Sequence, residues 1–251
     1  MTPPPPPPPP PPLSPPTPSV ILVVQASSPR IPGTPDTGAE YREMQRAITH
    51  AQYAHALTLE SLQAAQARDL PDRLLQNTPA VLHFSARGTP GGGLRFLTDD
   101  GGEAPVSDQG LCKLLTEFVA EGLRLVVLSA CWTSELAHLL AATVPCVIGT
   151  GGPITDTSCL DYSRTLYSTL AHGRSVAKAH SIAVAAAEMY GAELDCLPEL
   201  LTAPGVYAEA LHLVGAEYRT PPTRTTVKPQ GGGFSWRLRK KPMSGDPDLW
   251  P

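Results

Sequence analysis

Arg124-Leu-Val-Val-Leu-Ser-Ala-Cys131 decides how the rest of the chain reads. Its continuous apolar run, Leu125 to Leu128, has the pattern of a strand covered on both faces, as in a parallel sheet. The segment therefore predicts a strand over 124–130 that ends at Cys131. Val20-Ile-Leu-Val-Val24 and Ala80-Val-Leu-His-Phe-Ser85 upstream have the same character, as does Pro145-Cys-Val-Ile-Gly149 downstream. Leu57, Leu59 and Leu62 suggest one more strand near 56–62.

Helical signals alternate with these runs. Thr37-Gly-Ala-Glu40 has the form of a capping box, hydroxyl and carboxylate satisfying the first free amides of a helix to about Thr49. Pro71 suits the first position of a short helix ending near Asn77. Ser107 caps a helix whose apolar set, Leu111, Leu114, Leu115, Phe118 and Val119, follows the 3.6-residue period. Further helices are expected over about 134–142, from a cap at Asp156 to about Ala171, and from Ser175 to Tyr190. Val206 to Val214 alternates enough to serve as a final strand. Between Gly88 and Ser107, Gly91 to Gly93 precede Leu94-Arg-Phe-Leu97 and the turn Asp99-Asp-Gly-Gly102, an inserted β-hairpin.

Strands joined by helical crossovers predict an α/β fold: an open, mainly parallel sheet of about six strands with helices on both faces. Sites in such sheets gather at the carboxyl ends of strands. That edge holds Ser85 to Gly88, Cys131-Trp-Thr133 and Gly149 to Gly152.

Composition narrows the function classes. Of the 30 prolines among 251 residues, 13 precede Ser19, ten of them in the unbroken run Pro3 to Pro12. That run has no backbone donors for a helix or sheet, so residues 1–19 read as a polyproline II tail, either a linker or a ligand for an aromatic groove. Residues 217–251 are Pro- and Gly-rich, and Arg219 to Lys241 carries seven basic residues and no acidic one. A domain over 20–216 remains. The longest apolar candidate, Leu136 to Gly149, is broken by His138, Thr143 and Pro145, so no membrane helix is expected. The amino terminus lacks the form of a secretory signal. Five cysteines without a Cys-x-x-Cys spacing suggest neither a disulfide framework nor a metal site, which makes the cytoplasm the default location. Cys112, Cys146 and Cys159 fall inside expected elements as core residues. A net charge of −4 argues against general nucleic-acid binding. Gly149-Thr-Gly-Gly152 lacks the companions of a nucleotide loop and reads as a flexible loop beside the cleft, so no cofactor is expected.

Eight segments occur in one order: Ile21-Leu-Val-Val, Glu40-x-x-x-Met44, Val81-Leu-His-Phe-Ser85, Leu94-x-Phe96, Leu125-Val-Val-Leu-Ser-Ala-Cys131, Val144-Pro-x-Val-Ile-Gly149, Ile154-Thr-Asp156 and Ala171-x-Gly-Arg-Ser-Val176. Together they resemble the CHAT domain, a bacterial relative of caspases and separases, over about residues 20–216. The resemblance implies a caspase-like sheet and a Cys–His dyad for peptide-bond cleavage. It assigns the nucleophile to Cys131 and an oxyanion-binding amide to Gly88. The family's histidine belongs to a His-Phe-Ser-Gly-His-Gly segment. Here the chain reads His83-Phe-Ser-Ala-Arg-Gly88, and the dyad position is Arg87.

This departure has a chemical consequence. A cysteine peptidase needs a thiolate and a neighbouring acid that protonates the departing amine. A fixed guanidinium charge would favour the thiolate, yet it neither takes nor gives a proton at neutral pH. His83 is the alternative base, but it sits four residues earlier on the same strand face, about 13 Å deeper at ~3.3 Å per residue. A hydrogen-bonded structural role is its other reading. His138, on the helix after Cys131, points away from the strand edge. Three functional readings follow: a catalytically impaired CHAT module that binds a protein or peptide in a bacterial conflict or signalling assembly; a working endopeptidase using Cys131 with an unconventional or partner-supplied base; and a small-ligand protein using the same cleft.

Overall fold

Apolar runs become the central strands of one sheet. In the computed structural model, β1 (Ser19–Ala26), β3 (Val81–Gly88), β6 (Leu125–Ser129) and β7 (Cys146–Thr150) lie side by side, with β2 (Leu57–Leu62) outside β1 and β8 (Pro198–Thr202) outside β7. The structure describes residues 17–27, 31, 34–90, 93–153, 155–191 and 197–219. The proline run, most of the basic tail, Gly91, Gly92 and Cys196 therefore lie outside the described residues. The chain divides into units at Thr220 and Pro221, and everything described belongs to the first.

Strand order is β2-β1-β3-β6-β7-β8, with every pairing parallel except the antiparallel β7–β8 edge. This is the open, mainly parallel α/β sheet of about six strands that the sequence predicts. The inserted hairpin is also present, as β4 (Leu94–Leu97) and β5 (Glu103–Pro105).

Alternate residues of each strand feed two cores. Ile21, Val23, Val81, Leu125, Val127, Cys146 and Ile148 pack on one face beneath α1 (Thr37–Thr49), α5 (Asp156–Ala171) and α6 (Val176–Met189). Leu22, Val24, Leu82, Phe84, Val126, Leu128 and Val147 pack on the other, beneath α2 (Asp69–Gln76), α3 (Asp108–Glu117) and α4 (Ser134–Leu140). Both faces being dry explains why the strands lack polar alternation. Each fully buried Leu, Val or Ile contributes about 1.5–3 kcal/mol through surface removed from water.

Several expectations require correction. The first helix is capped by Asp36, whose carboxylate accepts from the Ala39 amide at 2.8 Å. Thr37 is merely its first residue, and Glu40 faces the core with Met44 and Ile48, its partners at four-residue spacing. The α2 helix begins at Asp69, so Pro71 sits third in it, still within the turn that has no intrahelical donors to lose. Thr155 rather than Asp156 caps α5, accepting from the Ser158 amide at 3.2 Å. Residues 206–214 are turns, not the final strand; that strand is Pro198–Thr202. The carbonyls of Ala208 and Leu211 are instead taken by the first amides of α6, from Ala177 and Val176. Cys146 is buried as expected, whereas Cys112 and Cys159 are half-exposed.

Candidate active site

The carboxyl edge of the sheet is shaped by β3 extending past the ends of its neighbours β1 and β6. Its parallel pairing with β6 ends at Ser85–Ser129, but the strand continues and turns to antiparallel partners on β4, Arg87 opposite Arg95 and Gly88 opposite Leu94. Cys131 follows two residues beyond the end of β6. The two segments meet backbone to backbone: a Cβ on Gly88 would stand 1.7 Å from the Cys131 carbonyl oxygen. That contact, not a left-handed backbone, is what requires glycine there.

The Cys131-Trp132-Thr133 loop is fastened to the end of β7. The Thr133 amide donates to the Thr150 carbonyl at 2.8 Å, and the Trp132 amide to the Gly152 carbonyl at 3.4 Å. The Thr150 and Thr133 hydroxyls both donate to the Ala130 carbonyl, at 2.6 and 3.2 Å. Trp132 takes a left-handed φ of 58°, uncommon outside glycine, and is exposed. Gly149 lies in β7, as the strand reading of Pro145–Gly149 has it, and Thr150, expected in a flexible loop, is instead the last residue of that strand. Gly149 is closed in by α4, since a Cβ there would lie 2.8 Å from the Ala137 Cβ. The Cys131 thiol is half-exposed and outside any disulfide.

Arg87 faces a carboxylate that sequence reasoning did not single out. Its Nη1 lies 3.8 Å from Glu103 Oε2, and Arg95 Nε lies 3.7 Å from the same oxygen. Arg95 also donates to the Glu103 carbonyl at 2.7 Å. The Glu103 side chain is only 3% exposed while that of Arg87 is 41% exposed, so the guanidinium roofs a buried carboxylate. Among the described residues Glu103 Oε1 has no hydrogen-bond partner. The hairpin register carries the signal: Arg87 opposes Arg95, and Glu103 opposes Leu97 two residues on, which puts all three charges on one face.

One layer deeper on the same strand face lies a buried polar cluster centred on Glu40. His83, with no solvent exposure, donates from Nε2 to Glu40 Oε1 at 3.1 Å, and its Nδ1 shares a 3.0 Å hydrogen bond with the Tyr167 hydroxyl. Ser129 and Ser163 donate to Glu40 Oε1 at 2.6 and 2.7 Å, and Ser85 donates to Oε2. Burial pushes the Glu40 carboxyl up, but the His83 charge and the hydrogen bonds from His83, Ser129 and Ser85 outweigh it and hold the group below its ordinary value. Burial, reinforced by the Glu40 charge, raises the Tyr167 phenol well above its ordinary value. Both ring nitrogens of His83 are therefore engaged within the core. Its cluster ties α1 and α5 to Ser85 and Ser129, the residues two before Arg87 and Cys131.

Other described histidines have hydrogen-bond or ring partners of their own. His138 Nδ1 bonds the Ser134 carbonyl at 2.8 Å on the exposed side of α4. His180 accepts from Tyr162 at 2.8 Å, and burial lowers it to about 4. His50 and His172 bond carbonyls at the ends of α1 and α5, and His212 bonds the Gly173 carbonyl. Among the described residues no group of three His, Cys, Asp or Glu side chains could hold a metal ion. A narrow pocket bounded by Ser129, Thr150, Cys159, Tyr162 and Pro198 opens near the ends of β6 and β7. No helix among the described residues is long and apolar enough to cross a membrane.

The chain is similar to several known proteins. A family model described as the CHAT domain matches residues 8–195. A Gillisia limnaea protein named "Probable protease" is 28% identical over 178 residues, covering 68% of this chain and 31% of that protein. The chain thus spans about a third of the length of the curated relative it matches. A secreted C11 cysteine protease from Bacteroides thetaiotaomicron, solved with an irreversible peptide inhibitor, superposes with a TM-score of 0.42 at 12% identity, over 62% of this chain and 53% of that one. A Staphylococcus aureus pyridoxal kinase solved with ADP gives 0.33 at 12% identity, over 78% and 97%. At those scores neither superposition bears on activity.

Proposed function

The chain belongs to the CHAT domain family, and from that premise we propose that it is a cysteine-peptidase homologue that binds a polypeptide at the Cys131 edge without efficient turnover. The observation that carries the reading is Arg87, at the family's histidine position, roofing Glu103 beside Gly88 and Cys131. Peptide cleavage by a thiolate requires a group that delivers a proton to the leaving amine, and a guanidinium cannot. Losing that transfer costs at least ~10²–10⁴ in rate. The engagement of both His83 nitrogens with Glu40 and Tyr167 supports the same reading, because using it as a base would require dismantling the cluster.

In this reading Cys131 keeps its place as the reacting or contacting thiol, Gly88 offers its amide to a bound carbonyl, and residues 20–216 form the binding unit between a proline-rich and a basic tail. The partner is a protein or peptide, in a bacterial conflict or signalling assembly in the cytoplasm. The competing reading is an active endopeptidase whose base comes from a partner; the half-exposed Cys131 thiol favours it.

The test is a peptide carrying a thiol-reactive warhead, followed by mass spectrometry, beside a turnover assay on a peptide library. The proposal expects no turnover from the natural chain and a measurable gain from Arg87→His. Turnover by the natural chain together with covalent capture at Cys131 overturns it.

A further inference from the structure

Independently of the Cys131 edge, we infer that a cavity at the opposite, amino edge of the sheet is a binding site for a phosphate-bearing small molecule. The cavity, about 410 Å³, is the size of a small-ligand pocket. It lies where Ser19, the first residue of β1, donates to the Leu213 carbonyl and where Arg124, just before β6, donates to the His212 carbonyl.

Three cations line it, Arg174, Lys178 and Arg219, and no acidic side chain does. Among the described residues none of the three has an ion-pair partner. Arg219 is held rather than loose. Its stem packs over Gly173, where a Cβ would lie 3.2 Å from the Arg219 Cδ and 3.0 Å from the Tyr53 ring. Its Nε is buried, with no acceptor among the described residues. A buried donor that no described residue satisfies, beside two unpaired cations, is the arrangement an anion completes.

The local helix adds field but no free amides. The cavity lies at the amino end of α6, which favours negative charge. However, the Val176 and Ala177 amides are taken by Leu211 and Ala208, and the Lys178 amide by the Ser175 hydroxyl. Recognition therefore rests on the side chains. The neighbouring cavity of about 440 Å³, which shares His172, serves as a contrast. There a carboxylate is part of the lining: Glu43 pairs with Arg46 at 2.6 Å. The sequence after Arg219 carries six more cations, from Arg224 to Lys241, so any test must separate tail from cavity.

The experiment is calorimetric titration of the full chain with inorganic pyrophosphate in about 0.15 M salt, where the Debye length of ~8 Å suppresses diffuse attraction. Sulfate at matched ionic strength is the control. Saturable one-to-one binding is expected, with Lys178→Gln and Arg219→Gln each weakening it about tenfold or more. Lys178 is exposed, so its variant keeps the fold even if the Arg219 variant does not. Replacing Arg237, Arg239, Lys240 and Lys241 with Gln is expected to leave binding unchanged. Three results overturn the inference: no saturable binding, binding matched by sulfate, or binding that survives Lys178→Gln and disappears with the tail charges.

Discussion

Replacing Glu40 by Gln removes one charge from the core while keeping its volume. The carboxylate accepts from His83, Ser85, Ser129 and Ser163 with no exposure to solvent on the His83 side of the pair. A hydrogen bond to a charged group contributes about 1 kcal/mol more than a neutral one, so four of them sum to about 4 kcal/mol. A neutral amide escapes part of the carboxylate's burial cost, which returns some of that loss and leaves a destabilisation of about 2–4 kcal/mol. For a domain near 200 residues this lowers the melting midpoint by roughly 5–15 °C. The effect has a pH signature. The folded carboxyl titrates below its ordinary 4.5, so its contribution is complete above that value and drains as pH falls through the lower folded one. Urea unfolding of both proteins, followed by circular dichroism from pH 7 down to about 3, should show a gap that narrows below the ordinary carboxylate range. A gap under about 1 kcal/mol at pH 7, or one that stays constant as the pH falls, refutes the assignment of Glu40 as a stabilising buried anion.

Gly88→Ala drives a methyl into the Cys131 carbonyl, and a loss above about 3 kcal/mol or a displaced Cys131 loop is expected, seen as a lower midpoint and altered thiol labelling. His180 should give an imidazole NMR titration near 4 rather than 6.5; because the unfolded chain takes up a proton that the folded one refuses, stability should decline as pH falls across that interval. Burial, aided by the Glu209 charge, pushes the Cys146 thiol up to about 11, so it should resist thiol reagents at pH 8 until the protein unfolds.

Much of the architecture is legible along the chain because it depends on local pattern. Apolar runs at Val20–Val24 and Leu125–Leu128, and Val81–Phe84 interrupted by His83, mark strands with two covered faces, and the intervening helical periods force parallel crossovers. Short-range signals mislead where two residues compete for one role. Asp36 and Thr37 are both good caps, and the tertiary need for Glu40 inside the core selects the former. The turns of 206–214 alternate like a strand, yet their carbonyls are claimed by the start of α6.

The strand segments, their mainly parallel crossovers and the position of Cys131 beyond a strand's carboxyl end follow from the sequence itself, since hydrophobic period and crossover handedness act along contiguous stretches; the order β2-β1-β3-β6-β7-β8 is set by the tertiary structure. So is the company those residues keep. Glu103 reaches Arg87 only through the hairpin register, and Glu40 gathers His83, Ser85, Ser129 and Ser163 from three separate elements, β3, β6 and α5. Charges buried from water must find partners wherever the fold delivers them, so their pairing is a property of three dimensions and has no signature in linear spacing.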